Sequence, residues 1–425
     1  MMAGSGCSPA LCDKDVMNTP SLDIDLLSPE AINDPHTYFR PIREAAPVAW
    51  SERHRSWVIT GHPELDAAFR NTGFSTERMA AFKARQVGPR AEALERAVAL
   101  LDGWMLFHEP PEHTRLRAPL SRAFTVRTAR SLEGAVQSLC DELLDAIATG
   151  PDDATFDLVS TFAHQLPARV IAKLFGVPRR LEPWLAQWSA RFGVVVFGAT
   201  RRPDYEDVAR ASGSEFAEIL GGLLDERRSN PTDDLISALL ATEGQDDGLS
   251  AEEILGACSL VLFAGHDTTS SLLGSATLAL LDHPDQAELV RSRELVGRDL
   301  DVAIEELMRY EAPAKAMMRQ VTHDQTFEGV DLHAGEGVFL TILAANRDRR
   351  VFDDADRLDL RRTQNPHLTF GHGHHFCLGA SLARLEARVA LPTLFQRFPN
   401  LAVAEPATWK PNISDRSAQK ILLTR

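Results

Sequence analysis

The 425-residue chain has no cysteine pattern that could form a disulfide framework. Its five cysteines are an odd number and include no CxxC pair, which suits a reducing compartment. It also lacks an uninterrupted apolar run of the roughly 18 residues that a membrane span requires, because the polar letters HDTTSS separate its two most apolar windows. Residues 1–20 lack the cationic start and apolar stretch of a signal peptide. We therefore expect a cytoplasmic protein with no membrane as a partner.

Linkers and repeats are missing as well. No Pro-, Gly- or Ser-rich stretch, composition change or internal repeat marks a domain boundary. We predict a single domain over residues 21–425, preceded by a disordered segment over residues 1–20.

A net charge of −15 argues against nucleic acid as a partner, since nucleic acid repels an acidic surface.

Few segments have the alternating pattern of β-strands, which is confined to 48–60 and 337–343. The longest helical pattern begins at Ser250, where Glu253 completes a capping box, and runs to about Leu281. At ~1.5 Å per residue it would cross the whole molecule. Apolar residues recur at helical spacing in five further segments: 125–149, 158–175, 181–197, 205–228 and 378–398. The chain is therefore predicted to be mainly α with a small β region and a long central helix.

The sharpest motif is FGHGHHFCLG, residues 370–379. A Gly-rich loop leads Cys377 into the start of a predicted helix, and backbone N–H groups at that point should favour a thiolate. A thiolate on haem iron assists cleavage of the O–O bond of dioxygen. A zinc site is the alternative, because three histidines lie beside the cysteine, although a second Cys/His pair is missing nearby.

The spacing F-x-x-G-x-H-x-C-x-G, formed by Phe370, Gly373, His375, Cys377 and Gly379, resembles the haem-binding loop of the cytochrome P450 family. The resemblance extends over essentially the whole chain after about residue 20. It implies a cytochrome P450 fold with the long helix over the haem. It also implies haem b as cofactor, Cys377 as the iron ligand, and Phe370, Gly371, Gly379 and Ala264 as residues bordering the haem.

The second motif, AGHDTT at 264–269, is a polar island inside the apolar central helix. Thr268, Thr269 and Ser270 can return their hydroxyls to the carbonyl four residues earlier and distort the helix, and Gly265 is costly there. Taken alone, the island could be a kink or a polar core contact. The resemblance implies that Asp267 and Thr268 widen the helix and relay protons during oxygen activation.

Two further sets of residues follow from the resemblance. Glu306 and Arg309 stand three apart on a helix, a spacing that Glu288 and Arg291 also have, so the default interpretation is an exposed pair. The resemblance instead implies a buried structural ion pair that supports the haem loop. It also implies four partners for the haem propionates, which are His113, Arg117, Arg319 and His375.

Residues 113–132 contain five arginines and no acid, which is unusual in so acidic a chain. They form either a solvated basic face or the docking face for an acidic ferredoxin or flavodoxin. The segments that contact substrate in the resembling family are largely apolar here, which predicts a hydrophobic small organic substrate. Arg78, Lys83, Arg85 and Arg90 lack acids close by in the sequence and could anchor a substrate carboxylate, or could simply be solvated.

The resulting hypothesis is a haem-thiolate monooxygenase that inserts one atom of O2 into its substrate. We expect electrons from NAD(P)H, delivered by a separate reductase through the ferredoxin or flavodoxin. A peroxide-driven peroxygenase on the same scaffold and a non-enzymatic haem-binding or zinc-binding protein are the alternatives.

Overall fold

The computed structural model describes residues 21–150, 155–196, 202–245 and 247–425. The segment predicted to be disordered, 1–20, lies outside these residues, and the single-domain boundary stays a prediction. The α-helices of the described part are α1 (Pro29–Asn33), α2 (Pro35–Ala45), α3 (His62–Arg70), α4 (Met79–Ala84), α5 (Pro89–Asp102), α6 (Glu112–Ala123), α7 (Val126–Ser131), α8 (Glu133–Ala148), α9 (Gln165–Leu174), α10 (Glu182–Val196), α11 (Tyr205–Ser229), α12 (Leu235–Leu240), α13 (Ala251–Asp282), α14 (Pro284–Arg291), α15 (Arg298–Tyr310), α16 (Ile342–Ala345) and α17 (Ala380–Arg397).

The strands are short and belong to one larger sheet and three small ones. They are β1 (Ser21–Leu22), β2 (Val48–Ser51), β3 (Ser56–Ile59), β4 (Phe74–Ser75), β5 (Phe156–Asp157), β6 (Met317–Val321), β7 (Gln325–Phe327), β8 (Val330–Leu332), β9 (Gly337–Leu340), β10 (Ala402–Val403), β11 (Thr408–Trp409), β12 (Ala418–Lys420) and β13 (Leu422–Thr424). The larger sheet has the order β1-β2-β3-β9-β6-β4. In it β3 and β9 are parallel, and β9 pairs antiparallel with β6 so that Arg319 lies opposite Val338.

The long helix α13 organises the helical part of the molecule. Ser250 caps its first turn, and the predicted capping box is present, because the Glu253 N–H donates to the Ser250 hydroxyl and the Ser250 N–H donates to the Glu253 carboxylate. The helix has 32 residues and is buried along most of its length, as expected of a helix that is apolar all round. It packs against α5, α9, α10 and α17, which confirms its predicted central position.

Two predicted elements have different boundaries in the structure. The predicted helix 125–149 is divided at Leu132, because a tight turn from the Leu132 N–H to the Ala129 carbonyl closes α7 before α8 begins. The predicted strand 337–343 ends at Leu340. There the Thr341 N–H still donates to the Ile59 carbonyl, while the Thr341 carbonyl accepts from Ala345 and starts α16.

The described residues include no helix with the length and apolar character needed to span a membrane. The segment predicted as one helix over 158–175 consists of a π-helical turn at Val159–Ala163 followed by α9. Pro392 lies inside α17, which nevertheless continues to Arg397.

A close backbone contact fixes α13 against the end of α5. A Cβ placed on Gly256 would lie 2.6 Å from the Gly103 Cα and 2.8 Å from the Leu100 carbonyl oxygen. Backbone atoms cannot move aside as the end of a flexible side chain can, and interiors are densely packed. The two glycines therefore permit a helix crossing that any side chain would widen.

We expect Gly256→Ala to lower the free energy of unfolding by about 1–3 kcal/mol, the usual cost of overpacking. Thermal unfolding of the purified protein measures it. Gly222→Ala is the matched control, because Gly222 is exposed on α11 and a Cβ there meets nothing within 4 Å. It should raise stability by about 0.4–1 kcal/mol. Equal effects of the two substitutions would contradict the role given to the contact.

Candidate active site

The Cys377 loop is held by its own backbone. The Cys377 N–H donates to the Phe370 carbonyl at 2.9 Å, and the Gly379 N–H donates to the sulfur. Gly371 and Gly373 have φ values of 66° and 74°, in the left-handed region that favours glycine. A Cβ at either position would also approach Phe69. These glycines let the loop fold back so that the sulfur stands at the start of α17.

Cys377 is exposed by surface area, yet burial is the largest influence on its thiol and raises its pKa. A group that is accessible and also surrounded by protein lines an internal space. The Gly379 N–H, Arg117 and Arg384 lower the pKa, but less than burial raises it. The Gly379 N–H favours the thiolate, as the sequence predicts, but burial outweighs this effect. A coordinated metal ion is needed to deprotonate the sulfur outright.

Three of the side chains expected to bind the propionates have no hydrogen-bonded or ion-paired carboxylate among the described residues. His113 is buried, burial lowers its pKa to about 4, and neither ring nitrogen has a hydrogen-bond partner. Arg117 donates to the Phe376 carbonyl at 2.6 Å, and buried Arg319 donates to the carbonyl of its neighbour Met318. In the described part of the chain neither arginine has an ion pair. Buried donors without acceptors are costly, so this set fits a bound anion.

His375 joins the same region through Glu109, a residue that the sequence analysis did not single out. Its Nε2 lies 3.3 Å from the Thr76 hydroxyl and 3.7 Å from Glu109. Burial would raise the pKa of Glu109, but hydrogen bonds from His375, Thr76 and His374 hold it far below its ordinary value. The sequence feature that could have indicated Glu109 is its position four residues before His113. Glu109, His374 and His375 could together hold a metal ion, but Cys377 is not part of that group.

The central helix contributes Ala264, Asp267 and Thr268. The Thr268 hydroxyl donates to the Ala264 carbonyl at 2.7 Å, as the sequence predicted. Within residues 264–271, all of which the structure describes, the other such bond comes from Ser271 to the Asp267 carbonyl, not from Thr269 or Ser270. The helix is assigned as continuous through 264–269, so the predicted widening does not interrupt it. A Cβ on Gly265 would lie 2.8 Å from the Ile171 side chain, so packing against α9 explains this glycine.

Two histidines, His164 and His266, lie next to Asp267. The sequence analysis did not single them out. His266 is buried, its Nε2 is 3.0 Å from the His164 carbonyl oxygen, and its Nδ1 is 3.8 Å from Asp267. Burial lowers the pKa of both histidines, that of His164 to about 4. Both rings are therefore neutral at pH 7. Because a carbonyl can only accept, His266 carries its proton on Nε2, which leaves Nδ1 as an acceptor towards Asp267.

Glu306 and Arg309 form an ion pair at 2.7 Å in which both side chains are 0% exposed. Arg309 also donates to the carbonyls of Asn346, Ala355 and Arg357. Glu306 accepts from the Asp359 N–H, from Arg362 and from Asn365. The pair is thus the centre of a network on the segment that leads to the cysteine loop. The default interpretation as a solvated pair does not hold here.

Several cations are paired differently from the expectation. Lys83 forms an ion pair with Asp102, and Arg90 lies 3.9 Å from Glu206. Both acids come from helices that fold back onto this segment, which short-range inspection of the sequence cannot show. Arg115, counted with the basic run, forms ion pairs with Glu112 and Glu253.

A model of the cytochrome P450 family matches residues 214–416. The chain is 35% identical over 401 residues to the cytochrome P450 monooxygenase PikC of Streptomyces venezuelae, covering 92% of this chain and 91% of that protein. The chain belongs to the cytochrome P450 family. A second relative is the vitamin D(3) 25-hydroxylase of Pseudonocardia autotrophica, 36% identical over 387 residues that cover 89% of this chain and 90% of that one. The solved structure of P450BioI in complex with a hexadec-9Z-enoic acid ligated acyl carrier protein has a TM-score of 0.83 and 31% identity, covering 94% and 100%.

The predicted family, the mainly α cytochrome P450 fold and haem b as cofactor are confirmed by these relatives. The enzyme is a cytochrome P450 monooxygenase, an oxidoreductase that incorporates oxygen, so the zinc-binding and non-enzymatic alternatives are wrong. The residues fit the haem. The accessible sulfur of Cys377 suits the iron. His113, whose ring nitrogens have no partner, and Arg117 and Arg319, which bind only backbone carbonyls, suit the two propionates.

Glu306→Ala should destabilise this cytochrome P450 by about 3–5 kcal/mol, because it leaves the buried Arg309 guanidinium without its counter-charge. Thermal unfolding and the haem content of the purified protein measure the effect. Glu288→Ala breaks a pair of the same spacing whose glutamate is 57% exposed, and it should change stability by less than about 0.5 kcal/mol. Similar losses in the two variants would show that burial does not distinguish the pairs.

Proposed function

We propose that this cytochrome P450 inserts one oxygen atom from O2 into a hydrophobic small organic molecule. Its electrons would come from NAD(P)H through a separate reductase and a ferredoxin or flavodoxin. The observation that carries the proposal is the pair Asp267 and Thr268 on α13, the helix that packs against α17, at whose start Cys377 stands. We further propose that residues 21–425 act as one domain. The free thiols of buried Cys140 and Cys258 support a cytoplasmic location.

The roles of the residues follow from their surroundings. Haem b, when bound through a cysteine thiolate, supplies an iron centre able to activate dioxygen. We propose Cys377 as its ligand, with Phe370, Gly371, Gly379 and Ala264 beside the macrocycle. His113 and Arg117 would hold one propionate. Arg319 and His375 would hold the other. In each assignment, protein side chains donate hydrogen bonds to a propionate carboxylate, which supplies the negative charge that these residues lack in their ion pairs.

Asp267 and Thr268 would deliver protons. The Thr268 hydroxyl donates to the Ala264 carbonyl, so its oxygen lone pairs remain able to accept a hydrogen bond from a neighbouring group. Asp267 is 24% exposed and can exchange protons with water. The neutral His266 Nδ1 stands behind it as an acceptor. This arrangement supports a general acid at Asp267 that acts through Thr268.

The substrate region supports an apolar ligand. The segments expected from the resemblance to contact substrate are 78–90, 103–107, 192–199, 257–264 and 312–318. They contribute Met79, Trp104, Met105, Phe107 and Ala257 to the main hydrophobic core. The part of that region at 197–199 lies outside the described residues. A vitamin D(3) hydroxylase among the relatives also supports a hydrophobic substrate class, although it does not identify the molecule.

An electron donor would dock on α6 and α7. Arg122, Arg127 and Arg130 are exposed, and within the described chain none of them has an ion pair. Arg117 of α6 binds the carbonyl of Phe376, the residue before Cys377, so these helices run along the loop that carries the sulfur. We call Arg122, Arg127 and Arg130 the basic face. Complementary charge on an acidic ferredoxin or flavodoxin would steer the encounter.

The monooxygenase proposal is tested by comparing Thr268→Ala with Cys377→Ser. Thr268→Ala should keep the thiolate spectrum of the reduced, carbon-monoxide-bound protein but divert electrons to peroxide, because proton delivery is impaired. Cys377→Ser should lose that spectrum and the monooxygenation together. The measurements are the spectrum, NADPH consumption and peroxide release. Full activity of the wild type with peroxide alone, and none with a ferredoxin chain, would favour the peroxygenase instead.

Reversing two charges of the basic face, Arg122→Glu with Arg127→Glu, should slow reduction by a ferredoxin at low salt and leave substrate affinity unchanged. Stopped-flow reduction measures the rate. Arg180→Glu is the control, since Arg180 is an exposed arginine outside α6 and α7. An unchanged rate in the double variant, or an equal loss in the control, would refute docking at this face.

A further inference from the structure

Arg78 is a cation that forms no ion pair with an acid of the described residues. It precedes α4, and its guanidinium lies 4.4 Å over the Phe107 ring. Among the described residues it makes no ion pair, and its side chain makes no hydrogen bond. It is exposed by surface area, yet burial alone lowers its pKa. Cys377 has the same combination of solvent access and surrounding protein atoms.

The neighbouring cations on this segment are already neutralised. Lys83 pairs with Asp102, and Arg90 lies beside Glu206. Arg85 is exposed. Buried Lys315 has Asp415 as a nearby counter-charge. Arg78 therefore differs from each of them in being both enclosed and unbalanced.

The haem does not account for this charge. Haem b carries two carboxylates, and the proposed function assigns them four partners, namely His113, Arg117, Arg319 and His375. Arg78 is a further cation close enough to Arg319 that the two repel each other. Glu109 partly offsets the charge of Arg319, whereas no acid of the described residues offsets that of Arg78. Arg78 therefore calls for another anion, because an enclosed charge without a counter-charge is expensive.

Packed aromatic rings connect Arg78 with the oxygen-handling part of α13. Phe107 stacks on Trp104 with ring centroids 5.5 Å apart, and Trp104 lies 5.3 Å from Phe263. Phe263 immediately precedes Ala264 in the chain. The guanidinium thus stands at one end of an apolar wall, and the residues that would handle oxygen stand at the other. A molecule with a carboxylate at one end and a long apolar body matches both.

We propose that Arg78 binds the carboxylate of an elongated, apolar carboxylic acid that this cytochrome P450 takes as substrate. The proposal rests on the proposed monooxygenase function and specifies its substrate class. The carboxylate would accept hydrogen bonds from both arms of the guanidinium. The Phe107 ring, held beneath the guanidinium, fixes its orientation.

The test measures binding of palmitate and of methyl palmitate to the haem-loaded protein. Ligand-induced shifts of the haem spectrum report binding, and equilibrium dialysis provides a readout that is independent of turnover. The wild type should bind the acid more tightly than the ester. Arg78→Gln should weaken palmitate binding about ten- to hundredfold, the value of a charge-assisted pair, and leave methyl palmitate unchanged. Arg78→Lys should lie between, since it keeps the charge without the planar fork.

Lys83→Gln and Arg90→Gln are the matched controls, because each removes a cation of the same segment that already has an acid partner. Both should bind palmitate as the wild type does. Equal affinity of the wild type for acid and ester, or no binding of the acid, would overturn the proposal.

A different result would show that Arg78 binds a haem propionate rather than a substrate carboxylate. If Arg78→Gln weakened acid and ester alike and speeded haem transfer to apomyoglobin, Arg78 would hold a propionate and the substrate assignment would be wrong. Failure of the monooxygenase function gives a different result, because it appears in turnover with oxygen and leaves the selectivity for the acid intact.

Discussion

The fully buried pair of Glu306 and Arg309 holds together the part of the chain on which the cysteine loop depends. Arg309 binds three backbone carbonyls of the segment 346–357, and Glu306 receives donors from the segment 359–365. Those segments lack regular secondary structure and cannot satisfy their own backbone groups. Desolvating two charges is costly, and the network offsets that cost by ordering an irregular chain. The loop that begins at Phe370 starts from this fixed support.

The central helix combines two demands that conflict. Its burial on all sides requires apolar residues, whereas chemistry at its middle requires an acid, an alcohol and a histidine. The helix accommodates them by returning the Thr268 and Ser271 hydroxyls to its own carbonyls and by giving His266 a carbonyl of a neighbouring element. Asp267 and Thr268 are half-buried, whereas His266 is buried. The helix therefore continues through the motif, while the His266 Nδ1 has no hydrogen-bond partner among the described residues.

The electrostatics of the interior point to bound anions. Around the cysteine loop, His113, Arg117 and Arg319 have no ion pair among the described residues, whereas Glu109 binds two histidines of the loop and Glu305 binds Arg384. In the proposed function, haem propionates balance most of this charge. Arg78 is left over, and its position beside the Phe107 ring is the basis of the substrate class that we propose.

The sequence by itself determined the cysteine loop that identifies the family, the capped central helix and the mainly α character. These features depend on local spacing and on glycines required by backbone conformation. Tertiary structure alone decided which charges are paired. Lys83, Arg90 and Arg115 find acids from distant segments, whereas Arg78 finds none among the described residues. It also decided that burial raises the pKa of Cys377 and that Glu109 and His266 belong to the site. Ionic and desolvation energies depend on distances through space, which residue order does not specify.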